Sequence, residues 1–118
     1  MISELLASSG VCLLETIGRV TGRVIEIWFA ADDARKTVYF LSGGRDRSHW
    51  VRNLRVLPDV RVRLSNEWLP GRARILAAGD EELQARRLVA AKYQGWREGR
   101  PFSAWARESL PVAVDLSE

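Results

Sequence analysis

The sequence has one cysteine and one histidine, and each shortage removes a class of chemistry. Cys12 has no second thiol in the chain, so no internal disulfide staples the fold. It reads as a small buried hydrophobe, and a reducing, cytoplasmic setting is the expectation. With His49 as the single histidine, no Cys/His cluster for a structural metal exists, and no Ser-His-Asp spacing for a hydrolase stands out. Paired-carboxylate motifs are also missing. No apolar run approaches the roughly 20 residues of a membrane span. The opening Met-Ile-Ser-Glu-Leu-Leu lacks the basic residues and long apolar segment of a secretory signal. Neither an internal repeat nor a linker appears. One domain over 1–118, long enough for a single real core, is therefore predicted.

Lysine is scarce because arginine replaces it: 16 of the 18 basic residues are Arg. The planar guanidinium suits bidentate contact with phosphate or carboxylate. A compositional bias of the source genome explains the same excess without a ligand. The bases are interleaved with 15 acids, for a formal net charge of +3. No recognition helix or aromatic RNA-binding signature accompanies them, which speaks against a nucleic-acid partner.

The stretch that organises the rest is Ser42 to Asn53, reading Ser-Gly-Gly-Arg-Asp-Arg-Ser-His-Trp-Val-Arg-Asn. A strand pattern stops at Gly43 and Gly44, which open backbone conformations closed to other residues and let a ligand approach the main chain. A helical pattern starts a few residues later, with Asp46 or Ser48 placed to cap it. Its first amides, its dipole and the guanidinium groups of Arg45 and Arg47 together make an anion site. At helical spacing Trp50, Leu54 and Leu57 share a packing side, and His49, Asn53 and Val56 a side facing the loop. The plain alternative is a surface turn with incidental arginines.

Residues 2–8 are predicted to form a short helix with Ile2, Leu5 and Leu6 on one face. Strands are predicted at Val11 to Ile17, Val24 to Ala30, Lys36 to Leu41, Val60 to Ser65, Trp68 to Leu76 and Pro111 to Leu116. The second is apolar on both faces apart from Glu26 and reads as central, with Trp28 in the core. Pro58 ends the helix begun near Ser48, and Pro70-Gly71 suggests a bulge. Arg61, Arg63, Arg72 and Arg74 fall on one sheet face, where either neighbouring acids neutralise them or an anionic partner is met. Neutralisation is the simpler reading. Asp80 is placed to cap a long helix to about Tyr93, with Leu83, Leu88 and Ala91 as its packing stripe. Phe102 to Glu108 adds a further helical turn or two. Six strands, mostly hairpin-connected, with helices after the third and before the last, predict an α+β fold: a six-stranded antiparallel β-barrel with peripheral helices.

Gly18-Arg19-Val20-Thr21-Gly22, the Gly43-Gly44 loop, Trp50-Val51-Arg52-Asn53-Leu54 and Pro58 before a strand together resemble the deazaflavin-dependent nitroreductase family. The similarity in order of elements runs from about Leu13 to Leu116. It implies the split β-barrel shared with flavin-mononucleotide-binding oxidases, and the 8-hydroxy-5-deazaflavin coenzyme F-420 as cofactor. By position it puts the cofactor's phosphate and acidic tail on Arg19, Arg23, Arg45 and Arg47. Ser42, Gly43 and Gly44 would form the loop beneath, and Ser48, His49, Trp50 and Asn53 would sit beside the ring system. Tyr93 and Trp96 match an aromatic pair that lines the substrate side in the family, with Tyr93 a possible proton donor. Val20 departs from the basic residue common at its position, and a Pro-Arg pair often found after Gly22 is missing. The implied activity is hydride transfer from the reduced coenzyme to a quinone, nitro compound or enone, and the implied assembly is a homodimer. Flavin mononucleotide in the same fold is the alternative. A non-enzymatic carrier or polyanion-binding module is the reading from another class.

Overall fold

A computed structural model describes residues 5–6, 10–18 and 23–117. Seven strands form one sheet: β1 (Val11–Thr16), β2 (Arg23–Trp28), β3 (Ala30–Asp32), β4 (Thr37–Ser42), β5 (Asp59–Leu64), β6 (Glu67–Ile75) and β7 (Leu110–Leu116). Three helices accompany them: α1 (His49–Val56), α2 (Asp80–Gln94) and α3 (Ala104–Glu108). The strand order is β2-β1-β5-β6-β7-β4-β3, with every pairing antiparallel. The first and last strands of that order are joined through Phe29 alone, so the sheet has to curl until its two edges meet. That closure makes the barrel, and it explains the strand count. The segment predicted as a single strand from Val24 to Ala30 breaks at Phe29 into β2 and β3.

Alternation along the strands fills the barrel. Leu14, Val38, Phe40, Val62, Leu64, Val112 and Val114 are almost wholly buried and share one cluster with Trp50, Val51 and Leu54 of α1. Helix α1 therefore closes the barrel with one face, Trp50, Val51, Asn53 and Leu54, while His49, Arg52, Arg55 and Val56 stay exposed. Trp50 meets Phe40 edge to face, with ring centroids 6.1 Å apart. Such a pair adds roughly 0.5–1.5 kcal/mol to the area it buries. Helix α2 covers the outside of β4, where Tyr39 packs with Ala85 and Leu41 with Val89. All six residues of β4 are buried as a result.

Strand β4, and not β2, is thus the doubly buried one. Strand β2 lies at the end of the sheet order, with Val24 44% and Trp28 41% exposed on its outer face, which corrects both the central placement and the core assignment of Trp28. The packing stripe of α2 is also rotated from the predicted one: Ala85, Val89 and Ala90 are buried, while Leu83 and Ala91 face out. Small side chains let the helix sit close on the sheet. Its N-cap is Gly79 rather than Asp80, with Glu82 reaching back to the Gly79 N–H. No bulge occurs at Pro70-Gly71, because β6 pairs residue for residue with β5 and β7. Gly71 is small for another reason: a Cβ there would lie 2.5 Å from Val114 Cγ1. In the predicted 2–8 helix, Leu5 and Leu6 are helical and packed on the core, and the remainder lies outside the described residues.

The four arginines do share a face, and cross-strand acids meet three of them. Arg61 reaches Glu15 at 2.6 Å, Arg72 reaches Asp59 at 3.5 Å, and Arg74 joins Asp115 and Glu81 at 2.7 Å each. Tyr39, fully buried, donates its hydroxyl to Glu81 at 3.0 Å. The hydrogen bonds from Arg74 hold the carboxyls of Glu81 and Asp115 below their ordinary range. Burial, with the Glu81 bond second, pushes the Tyr39 hydroxyl up to about 12. Two opposite pH dependences are expected. Depressed carboxylates contribute stability that is present above their unfolded pKa of about 4 and is lost as pH falls through the lower folded values. The raised tyrosine contributes stability present below its unfolded value of about 10, lost as pH climbs toward the folded one. Urea melts across pH read both arms, and Arg74→Ala should flatten the acid arm. An acid arm of unchanged steepness in Arg74→Ala would remove this network as its cause.

Candidate functional site

Strand β4 ends at Ser42, and the chain turns through Gly43 and Gly44 into a 3-10 turn, Arg45–Arg47, that delivers α1. The bend is drawn tight by side chains. Ser42 Oγ donates to the Arg45 carbonyl at 3.1 Å and lies 2.7 Å from Ser48 Oγ. A hydroxyl has one proton, so Ser48 must be the donor to Ser42. Ser48 stands at the N-cap position of α1 but does not cap it. Asp46 does not cap it either: its carboxylate takes Arg55, and its carbonyl accepts from Arg52 at 3.2 Å. Neither Ser48 nor Asp46 therefore caps the N-terminus of α1, the positive end of its dipole.

The glycines are small for contact. A Cβ on Gly43 would sit 2.9 Å from Trp105 Nε1, and one on Gly44 would sit 2.7 Å from Ser48 Oγ. Arg45 takes a positive φ of 50°, uncommon for a side chain of its size, and its guanidinium donates to the Glu108 carbonyl at the end of α3. Arg47 is exposed, with no side-chain partner among the described residues. Arg23 opens β2, exposed, opposite Thr16. The described arginines thus reach in different directions. Arg19, with Val20 to Gly22, lies outside the described residues.

His49 is exposed at the start of α1, whereas Trp50 is buried against Phe40. Asn53 does not face the loop as expected. It is fully buried, donates to Thr16 Oγ1 at 3.0 Å, and leaves its Oδ1 without a partner among the described residues. Gly18 packs on the same spot, since a Cβ there would fall 1.9 Å from the Asn53 carbonyl oxygen. Asn53 and Gly18 together key the end of β1 into α1.

Beside the bend lies a groove of about 460 Å³, lined by Val11, Glu26, Ile27, Trp28, Leu41, Gln94 and Trp105. Its origin is topological. Strand β3 begins at Ala30, opposite Tyr39, so Phe40 to Ser42 have no partner on that side and β2 diverges from β4. Trp105 closes the gap from α3 and touches Gly43 as well, joining the groove to the bend. Trp28 and Trp105 stand at 79° with centroids 5.4 Å apart.

Tyr93 lies behind Trp28, stacked at 4.5 Å with the rings 3° from parallel. Its hydroxyl accepts the Phe29 N–H at 3.0 Å and faces the carbonyls of Phe29, at 3.0 Å, and of Gly10. Burial raises its pKa. The one phenolic proton is held by main chain at the seam between β2 and β3, not aimed into the groove. Trp96 is elsewhere. Its Nε1 donates to the Arg100 carbonyl at 2.8 Å, its ring meets Phe102, and it lines a separate hollow of about 360 Å³. Tyr93 and Trp96 therefore do not share one wall, and only Gln94 borders both hollows. Sequence reasoning missed Glu26 and Gln94 as lining residues. The signal for Glu26 was present, as the lone charge in an apolar strand.

Comparison with known proteins agrees with this architecture. Among solved structures, the chain is similar to a candidate 5-nitroimidazole antibiotic resistance protein of Bacteroides thetaiotaomicron at 12% identity and a TM-score of 0.78, over 99% of this chain and 78% of that one. It is similar to an F-420 reductase at 19% identity and a TM-score of 0.65, covering 98% and 93%. A FAD-binding protein of Mesorhizobium loti matches at 20% identity and a TM-score of 0.66, covering 97% and 85%. These likenesses establish the split-barrel flavin-binding fold. No curated protein sequence matches the chain. The family described as F420H(2)-dependent quinone reductase matches residues 1–117, with reduced coenzyme F-420 as its cofactor. By that match over nearly its whole length, the chain belongs to the F420H(2)-dependent quinone reductase family, a family of oxidoreductases.

Proposed function

We propose that the protein transfers a hydride from reduced coenzyme F-420 to a small electron-poor acceptor: a quinone, nitro compound or enone. The observation that carries this reading is the continuity of an aromatic groove with an uncapped helix start. The groove between β2 and β4 runs through Trp105 to the Gly43-Gly44 bend and the N-terminus of α1, which its N-cap side chain leaves uncapped. A planar ring with a phosphate at one end has that shape and that polarity. The donor set fits the coenzyme. Ser42, Gly43, Gly44, the first amides of α1 and Arg47 would hold the phosphate, with Ser48 and His49 beside it. Arg45 fits less directly, being committed to Glu108, and Arg19 and Arg23 would meet the acidic tail.

Once bound, the coenzyme supplies the hydride; the chain supplies position and shelter from water. Trp50 fixes α1 to the barrel, and Asn53 ties α1 to β1. Trp28 and Trp105 wall the groove around the ring and the acceptor stacked against it, with Tyr93 bracing Trp28 from behind. Exposed Val11 and Val24 support the pairing of two copies, which sedimentation velocity reads directly.

Anaerobic oxidation of the reduced coenzyme by a small quinone tests the activity. Turnover should saturate in both substrates. Arg47→Ala should raise the KM for the coenzyme about 5- to 10-fold, the size of one charge-assisted contact, and leave kcat within about twofold. No oxidation above the uncatalysed rate with any of the three acceptor classes would overturn the proposal.

A further inference from the structure

We propose that the groove selects cationic planar aromatics and that Glu26 makes the selection. As a statement about the acceptor, this rests on the function proposed above; as a statement about binding, it does not. Of the seven lining residues, Glu26 alone is ionisable, and the walls beside it are two indoles. Indole faces attract cations, most strongly when water is partly excluded. Glu26 and Trp28 are two apart on β2, so they project from the same face roughly 7 Å apart along the strand.

Glu15, Asp32, Asp59 and Asp115 of this sheet each meet an arginine, whereas Glu26, like Glu67, makes no ion pair among the described residues. Two basic residues lie on neighbouring elements, and the first of them shares a hollow with Glu26. Arg63 occupies the same cross-strand row, since Leu13 pairs with both Glu26 and Arg63. It lines the neighbouring hollow of about 290 Å³, which Glu26 also borders, and donates to Asn66 at 3.1 Å. Lys92 sits 3.5 Å over the Phe29 ring and donates to the Phe29 carbonyl at 2.9 Å. Neither lines the groove.

Proton bookkeeping points the same way. A quinone that takes a hydride must also take a proton, and the Tyr93 proton is already held by main-chain carbonyls. A cationic ring that takes a hydride receives both electrons and becomes neutral, and the donor's remaining proton leaves to water. Such an acceptor needs no proton from the groove.

The test uses the protein without cofactor and three probes of one shape: N-methylphenazinium, phenazine and phenazine-1-carboxylate. Calorimetric titration at low salt should find the cation about tenfold tighter than the neutral ring and the carboxylate about tenfold weaker, as one charge contact in a partly hydrated groove provides. The spread should shrink in high salt. Glu26→Gln should bring the three within about twofold, and Glu26→Lys should reverse their order. Equal binding by the wild type, a cation preference that survives Glu26→Gln, or no binding of any probe would overturn the proposal. A parallel assay of N-methylphenazinium reduction by the reduced coenzyme separates the two readings. The expected binding order without any catalysed reduction of N-methylphenazinium would leave the Glu26 site standing and remove its part in choosing the acceptor, while the quinone assay above decides the reductase function.

Discussion

Arg86→Met is expected to lower the free energy of unfolding by about 3–5 kcal/mol, the range for breaking a buried ionic group on one side. Arg86 is 8% exposed in the middle of α2. Its Nη1 donates to the carbonyls of Ala106 and Ser109 at 2.8 Å each, and its Nε pairs with Glu82. Methionine fills much of the same volume but strands two buried carbonyls and leaves Glu82 without its cation. The damage reaches the groove, because those carbonyls belong to α3 and its C-terminal cap, and Trp105 rides on α3. Urea unfolding of wild type and Arg86→Met measures the loss. Arg86→Lys keeps the charge without the fork and should recover only part of it. A cost under about 1 kcal/mol for Arg86→Met would show that α3 is held by something else.

Gly18→Ala is the second large effect. Gly18 has φ +31°, and its added Cβ would lie 1.9, 2.4 and 2.5 Å from the O, C and Cα of Asn53. All three atoms are backbone, so β1 and α1 have to separate. They are fastened against separation by the Asn53–Thr16 hydrogen bond and by Trp50 in the barrel. An overpacked contact between two main chains exceeds the usual 1–3 kcal/mol of a crowded core, and the melting temperature should fall by about 10–15 °C. Coenzyme affinity should fall with it, because the start of α1 moves. A melting temperature within about 2 °C of wild type would mean that the chain around Gly18 yields freely.

Much of this fold is legible in the residues. The alternation Val60, Val62, Leu64 places β5, Pro58 ends α1, and the two glycines after β4 mark the bend. Strand pattern fails where it reports apolarity without saying what covers it. Val24 and Trp28 are apolar because they border a groove and an outer face, while β4 is buried twice because α2 lies on it. No local pattern carries the fact that β2 and β3 are one segment broken at Phe29, since that follows from the order of all seven strands. The site was partly legible for the same reason. The loop, Ser42 and Gly43 follow from local chemistry. The burial of Asn53, the seam role of Tyr93 and the presence of Glu26 in the groove depend on contacts across 37 to 83 residues of chain. A buried arginine on a helix, as at Arg86, reads as a solvated one until its carbonyl partners are known.

The central claim is that the bend and the groove together take a phosphorylated ring. It is tested most directly by titrating the purified protein with coenzyme F-420 and, side by side, with flavin mononucleotide, following cofactor fluorescence. Saturable quenching of the deazaflavin at micromolar protein, weakened in Arg47→Ala and stronger than any response of the flavin, is the expected result. Flavin mononucleotide binding more tightly would transfer the site to the flavin. An unchanged signal from both cofactors at every concentration would contradict the account.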